Sequence, residues 1–211
     1  MNFITIKENV QTEIVVKKSK FICNLIKVET QEEAENIIKY TKKKYYDARH
    51  NCVAYRVVED ERITEKSSDD GEPSGTAGGP MLNILQKNNL CNVLVSVTRY
   101  FGGILLGTGG LVRAYSDVTL KSIEISEKLE KCMGLEAVVK VEYNNLETFK
   151  YYCKTNNIFI ENLEYKDIII CKIQLEETVK QRLLKDFETK KVNLKDLKFL
   201  SKKLINKCII K

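Results

Sequence analysis

Val93-Leu94-Val95-Ser96-Val97-Thr98-Arg99-Tyr100-Phe101-Gly102-Gly103 decides how the first part of this chain folds, because an apolar run of strand length empties directly into glycines. Aliphatic and β-branched residues fill 93–98 on both parities, the composition of a strand covered on both faces. Beyond a second glycine group, Gly107-Thr108-Gly109-Gly110, the positions Leu111, Ala114, Tyr115, Val118, Ser122 and Ile125 recur at spacings of three and four and predict one face of a helix. Arg113, Asp117, Lys121 and Glu124 occupy the other positions, as an amphipathic element requires.

A glycine turn feeding a helix is a place for anions. The first amides of a helix are unpaired and carry partial positive charge, and glycine lets a ligand approach the backbone closely. Arg99 and Arg113, with Gly102, Gly103, Gly107, Gly109 and Gly110, are therefore the candidate anion or nucleic-acid-binding positions. A cation in the first helical turn opposes the helix dipole by about 0.3–1 kcal/mol unless an anion shares the site. For Arg113 that anion is either a bound phosphate or one of Asp69, Asp70 and Glu72 in an internal salt-bridge network. Tyr100, Phe101 and Tyr115 are either base-stacking groups or core. Known nucleotide loops do not match: Gly107-x-Gly109-x-x-Val112 lacks the third glycine of the dinucleotide fingerprint, and no Lys-Ser or Lys-Thr completes a Walker loop.

Upstream lies Ser68-Asp69-Asp70-Gly71-Glu72-Pro73-Ser74-Gly75-Thr76-Ala77-Gly78-Gly79-Pro80, where carboxylates, hydroxyls and glycines alternate. Asp69, Asp70, Glu72, Ser74 and Thr76 suit either oxygen ligation of a divalent cation and general-base work, or an Asx-turn and helix-cap loop that satisfies its own backbone. Neither metal nor cofactor is assigned. His50 is the single histidine, in Asp47-Ala48-Arg49-His50-Asn51-Cys52-Val53-Ala54-Tyr55-Arg56. On a strand His50 and Cys52 share a face, so an imidazole-activated thiol competes with a structural histidine bonded to the polar loop. Arg49, His50, Arg56, Tyr100 and Tyr115 are supporting positions.

All ten glycines lie between Gly71 and Gly134, with both prolines in the same window, so the specialised backbone is confined to one region. Before it the pattern predicts strands Phe3–Lys7, Glu13–Lys17 and Lys20–Val28, a helix opened by the Thr30/Glu33 capping box and ending near Lys44, and a strand Asn51–Val58. A polar loop from Glu59 to Gly79 and a short helix through Met81, Leu82 and Leu85 precede the central strand. After it comes a βαββαβ order: a strand from Leu135, a helix Leu146–Asn156, strands Ile158–Tyr165 and Asp167–Gln174, and a helix Glu176–Thr189 striped by Leu175, Val179, Leu183 and Phe187. The fold class is α+β, with one domain over 1–133 and a second over 134–211.

At 211 residues, 43% hydrophobic and 30% charged, the chain can bury a real core, and collagen-like, disordered and mini-protein classes are excluded. No apolar run approaches the roughly 18 residues of a membrane span, and Met1 to Lys20 has no signal-like segment, so a cytoplasmic location is expected. The seven cysteines (Cys23, Cys52, Cys91, Cys132, Cys153, Cys171, Cys208) show no Cys-x-x-Cys spacing and read as buried hydrophobes. The net charge of +6 is concentrated after residue 125, where 18 basic residues face 13 acidic ones, which suits either an acidic partner or a solvated face.

Three motifs in order, Arg49-His50-x-Cys52-x-Ala54-Tyr55-Arg56, Asp69-Asp70-Gly71-Glu72-Pro73-Ser74-Gly75-Thr76-Ala77-Gly78, and Arg99-Tyr100-Phe101-Gly102-Gly103 to Arg113-Ala114-Tyr115, resemble the IMPACT family, also called the YigZ family, over roughly residues 17 to 125. The following segment is similar to the C-terminal domain of its bacterial two-domain members. The resemblance implies an N-terminal domain like the second domain of ribosomal protein S5. It also implies a ferredoxin-like C-terminal domain like the last domain of elongation factor G, both folds met in translation. Ser96 departs from the apolar run the family keeps. The expected function is a non-catalytic, translation-associated regulator binding RNA, the ribosome or a translation factor; a metal-dependent enzyme on a small phosphorylated or peptide substrate and a protein-interaction module are the alternatives. A monomer is compatible with the sequence.

Overall fold

Nine elements precede residue 126: β1 (Asn2–Ile6), β2 (Val10–Val16), β3 (Ser19–Lys27), α1 (Gln31–Lys44), β4 (His50–Glu59), β5 (Arg62–Ser68), α2 (Gly78–Lys87), β6 (Val93–Tyr100) and α3 (Gly107–Ile125). The computed structural model describes residues 2–59 and 61–206, which divide into two compact units, Phe3–Leu129 and the chain from Glu130 onward together with Asn2. In the first unit an antiparallel sheet runs β2-β3-β6-β4-β5, so the apolar 93–98 run is the middle strand. One face carries α1, whose Ala34 and Ile38 pack with Val53, Tyr55, Val57 and Leu94. The other carries α2 and α3, whose Met81, Leu85, Leu111, Ala114, Tyr115 and Val118 pack with Cys23, Leu25, Cys52, Ala54, Val95 and Val97. Cover on both faces is why β4 and β6 lack polar alternation. Ser96 is fully buried and its hydroxyl has no partner among the described residues; nothing in the structure explains it.

The expected loop from Glu59 to Gly79 is half a strand. β5 pairs antiparallel with β4 from Val53/Ser68 to Glu59/Arg62, and as an exposed edge strand it needs no apolar residues to be held. Thr30 caps α1 as expected, and only the reciprocal bond of the capping box falls one residue earlier. Thr30 Oγ1 accepts from the Glu33 N–H at 3.1 Å, while the Glu33 carboxylate takes the Glu29 N–H at 2.7 Å rather than that of Thr30.

In the second unit β7 (Lys128–Val141) pairs with β9 (Ile169–Glu176) and with β10 (Asp196–Asn206), and β8 (Phe159–Tyr165) pairs with β9, all antiparallel. A single 3-10 turn, Tyr143–Asn145, leads into α4 (Leu146–Thr155), and α5 (Glu177–Glu188) follows β9, completing the expected βαββαβ order. Ala137, Val139, Phe149, Cys153, Cys171, Ile173 and Leu183 form its core. Leu175 ends β9 rather than opening α5, because the helix begins at Glu177. Cys23, Cys52, Cys91, Cys153 and Cys171 are buried free thiols and Cys132 is buried, as their apolar settings predict; Cys208 lies outside the described residues. No described helix is long and apolar enough to cross a membrane.

Two glycines of the central turn differ sharply. A Cβ at Gly102 would run into the Lys18 carbonyl group and the Ser19 backbone nitrogen, whereas one at Gly109 meets nothing within 4 Å. Gly102→Ala is expected to lower stability by about 1–3 kcal/mol, and Gly109→Ala, inside α3, to raise it by up to about 1 kcal/mol. Urea unfolding of both variants measures this; equal effects would contradict the close approach.

Candidate functional site

The end of β6 and the start of α3 meet the polar loop around one buried ion pair. Arg99 Nη1 donates to Glu72 Oε1 at 2.7 Å, with side-chain exposures of 7% and 2%. The Tyr115 hydroxyl, from α3, donates to the same oxygen at 2.9 Å. Ser19 Oγ accepts from Arg99 Nη2 at 3.5 Å and from the Gly102 N–H at 3.2 Å. His50 holds the other side: its Nδ1 lies 2.8 Å from the Asp70 carbonyl, which can only accept, so Nδ1 carries the proton, and Nε2 lies 3.9 Å from Glu72 Oε2. Arg99 Nε is buried and has no acceptor among the described residues.

The three loop carboxylates each have separate partners. Asp69 accepts from the backbone N–H groups of Gly75, Ala77 and Gly78 at 2.8, 2.9 and 2.8 Å and so caps α2 from outside the helix. Burial works to raise its carboxyl pKa, and the three N–H bonds outweigh it, leaving the group below its ordinary value. Asp70 accepts from the Asn51 N–H at 2.7 Å and pairs with Lys42. Thr76 Oγ1 donates to the Pro73 carbonyl at 2.6 Å, and Ser74 is exposed. Among the described residues no three His, Cys, Asp or Glu side chains gather as a metal ligand set. The Cys52 thiol lies 2.9 Å from the Asp69 carbonyl and 3.3 Å from the Tyr115 hydroxyl. Burial pushes it up to about 12, and the His50 Nδ1–H is on the Asp70 carbonyl rather than on the thiol, the arrangement of a structural histidine bonded to the polar loop. Burial, Cys52 and Glu72 all raise Tyr115, which keeps its proton and donates it.

Beside the ion pair is a cavity of about 400 Å³ lined by Arg49, His50, Glu72, Arg99, Phe101 and Leu105, and by Gly107 and Thr108 at the start of α3. No side chain caps α3, whose first turn holds no acidic residue. Phe101 is 41% exposed, with the Arg99 guanidinium 5.5 Å from its ring centroid. Of the residues singled out in the sequence, Arg49, His50, Glu72, Arg99 and Gly107 converge here. Arg113 does not: α3 begins at Gly107, so Arg113 lies in the second turn and is exposed, away from the cavity lining. The internal carboxylate, Glu72, pairs with Arg99 instead, and none of Asp69, Asp70 and Glu72 is bonded to Arg113 among the described residues. Arg56 belongs elsewhere, bonded to Glu65 and to the Leu85 and Leu90 carbonyls. Tyr115 is fully buried and cannot stack on a ligand, and the Tyr100 hydroxyl bonds Asp47 at 3.0 Å. Gly102, Gly103, Gly109 and Gly110 shape the turn and the helix start without lining the cavity. Ser19 and Leu105 were not evident from local pattern; Leu105, 83% exposed in a glycine turn, carried the one available signal, an apolar residue with no periodic partner.

A strand–glycine turn–helix unit with a histidine- and arginine-lined cavity, joined to a βαββαβ unit, defines the class. The Impact N-terminal domain model matches residues 17–123, and the chain belongs to the IMPACT family. It is 38% identical over 180 residues to the IMPACT family member YvyE of Bacillus subtilis (strain 168), covering 83% of this chain and 81% of that one. It is 34% identical over 161 residues to the IMPACT family member YigZ of Escherichia coli (strain K12), covering 76% and 79%. A crystal structure described as a hypothetical protein superposes with a TM-score of 0.62 at 29% identity, covering 95% of this chain and 98% of that chain.

Because the Asp69 carboxyl is held below its unfolded value, its contribution is complete above about pH 4 and is lost as pH falls through the lower folded value. Asp69→Asn is expected to lower stability near neutrality by about 1–2 kcal/mol, and to lose less than the parent between neutrality and pH 3. Denaturation followed across that range reads both; parallel curves would assign the acid loss to other groups.

Proposed function

We propose that this chain is a cytoplasmic, translation-associated regulator that binds RNA, free or within the ribosome or beside a translation factor, and does so without catalysing a reaction. One observation carries the binding half of this reading. The uncapped amide end of α3 and a buried arginine, Arg99, line one cavity, with Arg49 at its rim and an exposed phenylalanine beside them. Backbone amides and guanidinium groups are what position a phosphate, and an exposed ring gives an unpaired base a stacking surface without sequence preference. The non-catalytic half is supported by the loop, whose carboxylates are each bound to backbone amides or basic groups, and by a thiol kept neutral by burial. Translation enters through the family resemblance, which implies a ribosomal protein S5 domain 2-like fold for residues 1–133 and a ferredoxin-like domain for 134–211. The excess of basic residues after 125 adds long-range attraction to a polyanion.

The test uses the full chain and a single-stranded RNA of mixed sequence, with affinity followed against salt. Arg49→Ala is expected to weaken binding and to reduce the log–log salt slope by about 0.7, one phosphate contact on a single strand. Phe101→Ala is expected to cost about 1–3 kcal/mol, and Arg113→Ala to change little. No binding at moderate salt, or an Arg113 effect as large as that of Arg49, would overturn the assignment.

A further inference from the structure

The second unit holds a cavity of its own, about 310 Å³, along one side of α4 and closed by α5 and the segment 191–193. Its floor is apolar, with Phe149 and Val192 at 1% and 4% exposure. Asn156 lines it, 7% exposed, and its Oδ1 is buried with no hydrogen-bond partner among the described residues. The amide orientation is fixed by its other end: Nδ2 donates to the Tyr152 carbonyl at 2.8 Å and to Thr155 Oγ1 at 3.3 Å, so a flipped side chain would set oxygen against oxygen. A buried acceptor left unpaired is costly, and an N–H donor entering the cavity would relieve that cost. Asn156 is also the residue at which α4 ends, where the helix dipole is negative and favours a positively charged donor over a neutral one. Among the remaining polar groups, which include the neutral Thr148, Tyr151 and Asn193, two have the opposite character. Arg182 and Lys191 line the same cavity and are exposed. Lys191 lies 3.6 Å from Asp186, a carboxylate already bonded by the Tyr152 hydroxyl at 2.7 Å.

We propose that this cavity binds a small zwitterion of the α-amino-acid class, its ammonium group donating to Asn156 Oδ1 at the end of α4, its carboxylate on Arg182 and Lys191, and its side chain over Phe149 and Val192. The volume lies at the lower end of ligand sites and suits a ligand of that size. This site lies in the second unit and is independent of the RNA reading, which rests on the first.

Isothermal titration of the full chain with each free α-amino acid tests it. At least one is expected to give a saturable heat, while the matching carboxylic acid without its amino group and the matching amine without its carboxylate each bind about ten-fold more weakly or not at all. Arg182→Gln changes an exposed residue and is expected to weaken the same amino acid about ten-fold with the melting temperature unchanged. Asn156→Ala is expected to abolish the discrimination against the deaminated acid; its melting curve shows whether the variant is folded, and Arg182→Gln stands if it is not. No heat with any amino acid overturns the proposal. So does equal binding of the deaminated acid, an unaltered affinity in Arg182→Gln, or saturable binding of nucleoside monophosphates in place of amino acids.

Discussion

The first unit is organised around a buried ion pair, Arg99 with Glu72. Moving a guanidinium and a carboxylate out of water costs several kcal/mol for each ion, and their attraction offsets this only when the remaining donors and acceptors are also satisfied. The neighbours of Arg99 and Glu72 follow from that requirement. Tyr115 supplies a second donor to the carboxylate and Ser19 accepts from the guanidinium, while His50 Nε2 stands 3.9 Å from the second carboxylate oxygen, too far to bond it. These residues come from β3, β4, the polar loop, β6 and α3, so satisfying one buried pair fixes five segments that are far apart in sequence. The same burial raises the Cys52 thiol and the Tyr115 hydroxyl, so both keep their protons within this network.

The polar loop and the glycine turn look alike in composition yet do opposite things with their helix starts. α2 begins after Ala77, which has no capping side chain, and Asp69 reaches back eight and nine residues along the chain to accept two of its first amides. α3 begins after Leu106 with no equivalent, since the neighbouring carboxylate, Glu72, is held by Arg99 and Tyr115. The end of α2 is satisfied within its own loop, whereas that of α3 opens on the cavity without a capping side chain.

What the sequence revealed and what it hid follow the range of the interactions involved. α1 and α3 are legible because each is written in a local period, β6 because it is a short apolar run, and Thr30 caps α1 from within three residues. β5 is not, because Arg62–Ser68 is held by backbone bonds to β4 on an exposed edge, which leaves no apolar signature. In the site, Arg99, His50 and the three carboxylates were visible as types. Which carboxylate would meet Arg99 was not, since Asp69, Asp70 and Glu72 differ only in where the loop's turns point them. The positive φ of Asp70 and Gly71 and the three amides on Asp69 settle that in space. Arg113 was placed wrongly for a related reason: the glycines at 109 and 110 look like a turn, but they lie inside the first turn of α3, which carries Arg113 one turn further on.

The charge arrangement also constrains the kind of anion the cavity suits. Arg99 is already neutralised by Glu72, so a ligand gains little from its net charge, and the directional groups on offer are the amides at the start of α3. Arg49 is exposed, and an exposed cation contributes little to a single contact in salt. A free phosphate, with one point of attachment, would bind weakly there. A strand of RNA repeats its charge along its length, so modest contacts at the cavity add to others on the same strand, and an adjacent base can lie on Phe101. The geometry therefore suits a long polyanion better than a small one, in contrast to the second cavity, where enclosure and opposite polarities at the two ends suit a compact ligand.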